Sequence, residues 1–400
     1  MRRSSVALVA FFAFFACAAC VACGSAGGEE GDGGGPDAPS PGDAGAVDAI
    51  NDAPPDVTLG APITGLTPGS WTWVDFPGAQ CRDGTPTGIG VSPSPSGSNK
   101  LMIFLEGGGA CFNAETCTAN LAHFDSVDFD AQFVAVESNA GIFSRVDASN
   151  AVADWNMVYV PYCTGDIHAG DAPNAQVPGV LGVQQFVGYT NMTQYLARIV
   201  PTFPNVARVL LTGQSAGGFG AALEYVQVAR MFGGVPIDLL DDSGPLMGNP
   251  YLAACLETQQ AQLFGLAQLI AQDCGGDCND PSNDLLLFWK HLPKTYASSR
   301  FGFIDSTGDS VISTFFGYGA NDCTGFAALT PSQYEAGLLD MRAQVQGDAN
   351  AGSFLYGGID HTTLVDAYGT RTTPAADGGT VRFEDWVAAL VNGVVTNVGP

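Results

Sequence analysis

The sequence predicts an α/β fold: a mostly parallel sheet with helices on both faces. Three observations carry this. Runs of strand length such as "KLMIFL", "WNMVYV", "VARVLL" and "VPIDLL" are apolar at all but one position rather than alternating, as strands buried on both faces tend to be. Longer segments with helical spacing, such as "VQQFVGYTNMTQYLARIV", separate them. The two kinds alternate along the chain without an internal repeat, the order that winds helices over a parallel sheet.

Before these elements lies a different kind of sequence. Arg2 and Arg3 precede the run "VALVAFFAFFACAACVA", which ends in small residues. A charged start, a short apolar core and a small-residue exit predict a signal peptide over 1–23. The run is short for a comfortable membrane span and lacks a basic flank after it. Cys20 and Cys23, each preceded by small residues, resemble the acylated cysteine of bacterial lipoproteins; plain cleavage that discards them is the alternative. Residues 24–58 are Gly, Ala, Pro and Asp with few large apolar side chains, a composition that cannot offset the entropy of ordering. They read as a disordered acidic tether, which leaves 59–400 as one domain. The expected location is exported: an outer-membrane or cell-surface lipoprotein, or else secreted or periplasmic.

The domain's strands and helices follow in order. "KLMIFLEGGG" is a buried strand that ends in a glycine loop, and "WNMVYVPYCTGD" a second strand with a polar end. "VARVLLTG" leads to Ser215, after which small residues start a helix running to about Arg230. "VPIDLLDDSG" is the next strand, "NDLLLFWKHL" a helix, "RFGFIDSTGDS" strand then loop, and "VRFEDWVAALVNGVV" a closing helix. Cys255 to Arg300 is long for a connection and reads as a cap over the site.

Charge and cysteine content narrow the function. Forty acidic side chains against fourteen Lys and Arg give a net charge of −26, which argues against nucleic acid and repels polyanions at long range. Eight cysteines follow the tether, an even number that reads as disulfides in an exported chain. Cys111 and Cys117 are close enough to pair; the other pairings are not legible. Cys274 and Cys278 have a metal-like spacing, but His123, His168, His291 and His361 form no ligand-spaced cluster, so no metal is expected.

Reactive groups gather at the carboxyl ends of parallel strands. Ser215, in "GQSAG", occupies one such end and opens a helix, the context of a nucleophile elbow. Gly213 and Gly217 permit the turn, and the Ala216 N–H at the helix start faces an oxyanion. The glycines of "LEGGGACFN" supply further donors: Gly108 and Gly109, with Ala110 if the turn rotates. His361 in "YGGIDHTTL" is the favoured base, because it follows the nucleophile and the last strand; His168, after an earlier strand, is its rival. Asp242 and Asp309 both follow strands after the nucleophile strand. Pattern alone gives Asp309 the lead.

These blocks resemble the pectin acetylesterase and Notum family of α/β-hydrolase-like carboxylesterases. The resemblance spans most of residues 70–365. "CRDGTPTG", "FLEGGGACFNAETC", "VPYCTGDIHAGD", "GQSAGGFGA" and "DDSG" occur in the family's order. It implies Ser215, Asp309 and His361 as the triad, with Gly108, Gly109 and Ala216 at the oxyanion and Asp242 as support. The chain departs from the family at Ala110, where an aromatic is usual, at Gly308 and Ile312 in the acid loop, and in having no cysteine just before His361. The expectation is a cofactor-free serine esterase acting on an acetylated glycan or a small ester, with no nucleic-acid partner. A longer acyl group, peptidase chemistry and a glycan-binding protein without catalysis are the alternatives. Any lipid anchor would sit at Cys23 or Cys20, and nothing in the sequence sets the oligomeric state.

Overall fold

Alternate residues of the central strands enter two different cores. In β3 (Lys100–Leu105), Leu101, Ile103 and Leu105 join one apolar cluster, while Met102 and Phe104 join the other. In β5 (Arg208–Gln214), Val209 and Leu211 divide from Leu210 in the same way. A strand with both faces covered leaves few positions for polar side chains, which is why these runs are apolar at most positions. The structure, a computed structural model, describes residues 58–278, 280 and 284–400. The signal peptide, the tether up to residue 57, and Cys20 and Cys23 lie outside the described residues.

The sheet has nine strands. The others are β1 (Thr72–Gln80), β2 (Pro86–Ser92), β4 (Asn156–Val160), β6 (Ile237–Asp242), β7 (Phe301–Ser306), β8 (Ala351–Tyr356) and β9 (Asn397–Val398). Their spatial order is β1-β2-β4-β3-β5-β6-β7-β8-β9. From β4 to β9 every pairing is parallel; β2 pairs antiparallel with both β1 and β4. One face is covered by α1 (Gly188–Thr202), α2 (Ala216–Leu223) and α3 (Tyr225–Phe232), through Leu196, Ala222 and Val228 among others. The opposite core is aromatic: Phe104, Phe129, Phe133, Phe143 and Tyr159 pack ring against ring, and Trp386 joins it from the closing helix Phe383–Val391.

Register decides where the site lies. Leu105 pairs with Gly213, Gln214 with Asp242, and Asp242 with Ile304, so the carboxyl ends of β3, β5, β6 and β7 form one edge. After β6 the chain forms α4 (Ala254–Phe264), α5 (Leu266–Cys274) and α6 (Asp284–Thr295), the segment expected to cap the site. Cys255–Cys323 ties α4 to a later loop, and Cys274–Cys278 closes the end of α5. Cys81–Cys163 and Cys111–Cys117 complete the pairing of all eight. The eight cysteines read as disulfides are thus all paired, Cys274 and Cys278 with each other. Among the described residues, no helix is long and apolar enough to cross a membrane.

Candidate active site

The turn at Ser215 is built by exclusion. A side chain on Gly217 would put its Cβ 2.0 Å from the Leu105 carbonyl oxygen, and one on Gly213 would lie 2.3 Å from that of Gly217. Only glycine permits β5 to reverse into α2 this tightly against β3. Ser215 itself has φ 56° and ψ −123°, a conformation that costs a non-glycine residue about 1–3 kcal/mol. The surroundings hold it there: its N–H donates to the Asp242 carbonyl at 2.7 Å, and its own carbonyl accepts from Gly218 at 2.9 Å.

His361 and Asp309 are joined directly, with His361 Nδ1 2.6 Å from Asp309 Oδ2. Asp309 is fully buried and caps α7 (Ser310–Phe316): its Oδ1 accepts from the N–H groups of Val311 at 2.8 Å and Ile312 at 3.0 Å. Each oxygen of the carboxylate thus has one task.

Asp242 is placed differently from a partner of the imidazole. Its Oδ2 accepts from the N–H groups of Thr363 and Leu364, both at 2.7 Å, while the Ser243 hydroxyl accepts from Thr362 at 3.2 Å. The carboxylate grips the backbone just after His361, and the carbonyl of the same residue grips Ser215. Asp242 therefore ties the serine corner to the histidine loop. Ser215 Oγ and His361 make no hydrogen bond to each other among the described residues; such contacts often close only around substrate.

The glycine loop after β3 is oriented from behind. Asn120 Nδ2 donates to the Gly108 carbonyl at 2.7 Å, and the Tyr162 hydroxyl to that of Gly109 at 2.8 Å. In a trans peptide the next N–H points the opposite way, so the N–H groups of Gly109 and Ala110 face away from these anchors. Gly109, Ala110, Ser215 and Ala216 line one cleft. Gly108, expected as an oxyanion donor, is not among the residues that line this cleft, and a Cβ there would meet Tyr162 at 2.7 Å.

Sequence reasoning missed Asn120 and Tyr162, because neither is a reactive residue type and both act across the fold. Buried Arg82 extends the same scaffold, donating to Asn120 Oδ1 at 3.2 Å. His168, the rival base, is buried behind the loop with Nε2 2.8 Å from the Glu106 carbonyl oxygen, and burial lowers its pKa to about 4. Through that contact it braces the loop that follows β3. His123 lies in an exposed connection, and His291 is buried in α6.

The cleft is a narrow apolar slot. Besides the four residues named above, Ile167, Phe219, Leu252, Leu285, Ile312, Phe315 and Phe316 line it, with Gln260 as its polar exception. It encloses about 500 Å³ of empty space including its mouth. Leu252 precedes the cap, and Gln260 and Leu285 belong to it. Phe315 packs against the glycine loop: its Cζ lies 3.0 Å from where a Gly109 Cβ would stand.

The site rests on buried carboxyl groups. Burial raises Glu106 and Glu257 to about 7 and Asp166 and Asp242 to about 6. Asp241 and Asp305 are pushed well above the usual range for the same reason. Unfolded carboxyls lose their proton near pH 4. The folded chain therefore binds more protons than the unfolded chain between about pH 4 and 7, and its stability falls as pH rises through that window. His168 acts in the opposite sense between about 4 and 6.5, but one imidazole is outweighed by this many carboxyls. The melting temperature is expected to be higher at about pH 5 than at about pH 7.5 in scanning calorimetry. A rise over that interval would show that these groups are ionised in the folded protein.

Comparison with known proteins follows the same lines. A family model described as Pectinacetylesterase matches residues 72–283. Palmitoleoyl-protein carboxylesterase notum1a of Danio rerio is 29% identical over 178 residues, covering 42% of this chain and 34% of that protein. Palmitoleoyl-protein carboxylesterase NOTUM of Schmidtea mediterranea is 33% identical over 161 residues, covering 38% and 28%. The matches thus span about a third of these relatives' own length. Among solved structures, the Wnt deacylase Notum from Drosophila superposes with a TM-score of 0.56 at 17% identity, covering 82% of this chain and 95% of that one. That likeness fixes the fold as α/β-hydrolase-like.

Proposed function

Because this chain belongs to the pectinacetylesterase family, we propose that it is a serine carboxylesterase that hydrolyses acyl esters. The observation that carries this reading is the His361–Asp309 pair, tied through Asp242 to a strained Ser215 at the mouth of an apolar slot. Ser215 attacks the ester carbonyl while His361 takes its proton, and Asp309 stabilises the imidazolium that results. The N–H groups of Gly109, Ala110 and Ala216 hold the developing oxyanion. The proton then passes from His361 to the departing alcohol, and water deprotonated by the same histidine releases the acid. No metal or organic cofactor enters these steps.

The acyl group lies in the slot, whose aliphatic and aromatic lining recognises hydrocarbon. An acetyl group, the one the family name suggests, fills only the neck; a longer acyl chain uses the rest, and the narrow bore suits a thin chain. The alcohol side is an acylated glycan or a small ester. The disulfides and the leader-like N-terminus support export, with a lipid anchor at Cys23 or Cys20 as the surface-attached form.

A fluorophosphonate probe tests the reading on the oxidised protein. The expected result is a single adduct that maps to Ser215 by peptide mass, with turnover of p-nitrophenyl esters by the unlabelled enzyme. Absence of both from folded protein would favour the glycan-binding alternative.

A further inference from the structure

Arg82, in the turn between β1 and β2, is a buried cation whose hydrogen bonds all go to uncharged groups. Its Nε donates to Asn120 Oδ1 at 3.2 Å and Nη1 to Gln184 Oε1 at 2.6 Å. Nη2 donates to the carbonyls of Cys117 at 3.0 Å and Asn120 at 2.8 Å. Arg208, Arg230 and Arg300 each pair with a carboxylate; among the described residues Arg82 forms no ion pair. The adjacent Asp83 is exposed and accepts from Thr85 instead. Burial lowers the Arg82 pKa, but an arginine keeps its proton even so. A buried charge without a counter-charge is unfavourable.

That charge stands behind the glycine loop. Asn120 accepts from Arg82 at Oδ1 and donates from Nδ2 to the Gly108 carbonyl at 2.7 Å. Both bonds lie on one carboxamide, so the guanidinium draws electron density through it and makes its N–H₂ the stronger donor. The Gly108 carbonyl and the Gly109 N–H belong to one peptide unit and point opposite ways. Amide resonance couples them: a stronger bond on the oxygen leaves a more polarised N–H. Guanidinium, carboxamide and peptide thus stand in series behind a donor that the reaction above assigns to the oxyanion. The next peptide is anchored without a charge. The Gly109 carbonyl accepts from the Tyr162 hydroxyl, which accepts from the Ile167 N–H at 2.8 Å.

We propose that Arg82 is a positioning residue for the reaction, acting through Asn120: it orients the Gly108–Gly109 peptide and adds its positive charge to the pull of the Gly109 N–H on the developing oxyanion. The proposal rests on the esterase reading above. Before reaction Arg82 has no counter-charge; in the transition state the oxyanion supplies one at the far end of the relay. An interaction that strengthens only as charge develops lowers the barrier without tightening substrate binding.

The test is a double-mutant cycle on the full chain, read in kcat, KM and melting temperature with p-nitrophenyl acetate. Acylation and deacylation both pass through an oxyanion. Arg82→Gln is therefore expected to lower kcat about tenfold with KM changed by less than about twofold, and Asn120→Ala to lower kcat about thirtyfold. Added to Asn120→Ala, Arg82→Gln is expected to lower kcat by less than about a further twofold, because the relay is already cut. Its effect on the melting temperature persists in both backgrounds, since the bonds to Gln184 and the Cys117 carbonyl do not pass through the Asn120 side chain. Arg82→Lys, which keeps the charge without the fork, is expected to recover most of the tenfold in kcat. Equal losses for Arg82→Gln and Arg82→Lys, an unchanged kcat in Arg82→Gln, or the same loss in both backgrounds would overturn the relay and leave Arg82 a structural brace. Should Arg82→Gln fail to fold, an Arg82→Lys protein no faster than Asn120→Ala would overturn it equally. No turnover of any ester by the unsubstituted protein would overturn the esterase reading itself, and this inference with it.

Discussion

Ser215→Ala is expected to lower kcat/KM toward a short-chain aryl ester by at least about 10⁴-fold without unfolding the protein. The reaction loses its only attacking oxygen at the end of β5, and the oxyanion donors alone cannot replace covalent catalysis. What remains should be the modest acceleration that positioned N–H groups give to direct attack by water. The fold should persist for a local reason. Alanine keeps the Cβ, so the backbone at φ 56° is no more strained than before, and the N–H to Asp242 and the carbonyl to Gly218 are untouched. The fluorophosphonate adduct should vanish with the activity. Activity within tenfold of the parent would place the nucleophile elsewhere and reduce the elbow to a turn.

How legible each part was depends on the range of the forces that place it. The elbow can be read locally, because its glycines are required by contacts with the adjoining strand, such as the 2.0 Å approach between a Gly217 Cβ and the Leu105 oxygen. Buried parallel strands were legible through their unbroken apolar runs. The β1–β2 hairpin was not: much of β1 is exposed or half-exposed, so it lacks that signature.

The choice between Asp242 and Asp309 had only a weak local signal, the turn-like "STGDSV", since both follow the carboxyl ends of neighbouring strands. Side-chain direction separates them, and that direction is set by the backbone N–H groups each carboxylate finds. His168 and His361 differ in the same manner, one turned into the core at φ 65° and the other towards Asp309. Cys111–Cys117 and Cys274–Cys278 are near enough in sequence to foresee. The Cys81–Cys163 and Cys255–Cys323 pairs span 82 and 68 residues, and only the fold brings them together. The orientation of the glycine loop was open for a related reason: its rotation is set by Asn120 and Tyr162, which act from outside it.

Asp309→Asn should lower kcat/KM by about 10³–10⁴-fold, and the structure says why an uncharged near-isostere is so damaging. The N–H groups of Val311 and Ile312 converge on one oxygen of residue 309, and only an acceptor satisfies them. The asparagine carbonyl must take that position, which turns the amide N–H₂ towards His361 Nδ1. A donor there requires Nδ1 to be the acceptor, so the imidazole proton moves to Nε2. The nitrogen that should take the proton of Ser215 then already carries one. The loss is thus expected mainly in kcat, since the slot that binds the acyl group is unchanged. Stability should change little, because the cap of α7 survives. Asp309→Ala removes the cap as well and should cost about a further 1 kcal/mol of stability. Asp242→Asn makes the contrasting case. It leaves the Asp309–His361 pair in place and weakens only the grip on Thr363 and Leu364, so its loss of activity should be smaller and should come with a lower melting temperature. Steady-state kinetics and melting curves on the three variants separate a residue that sets the tautomer of the base from one that positions its loop. Equal losses for Asp309→Asn and Asp242→Asn would show that both act only by holding the loop.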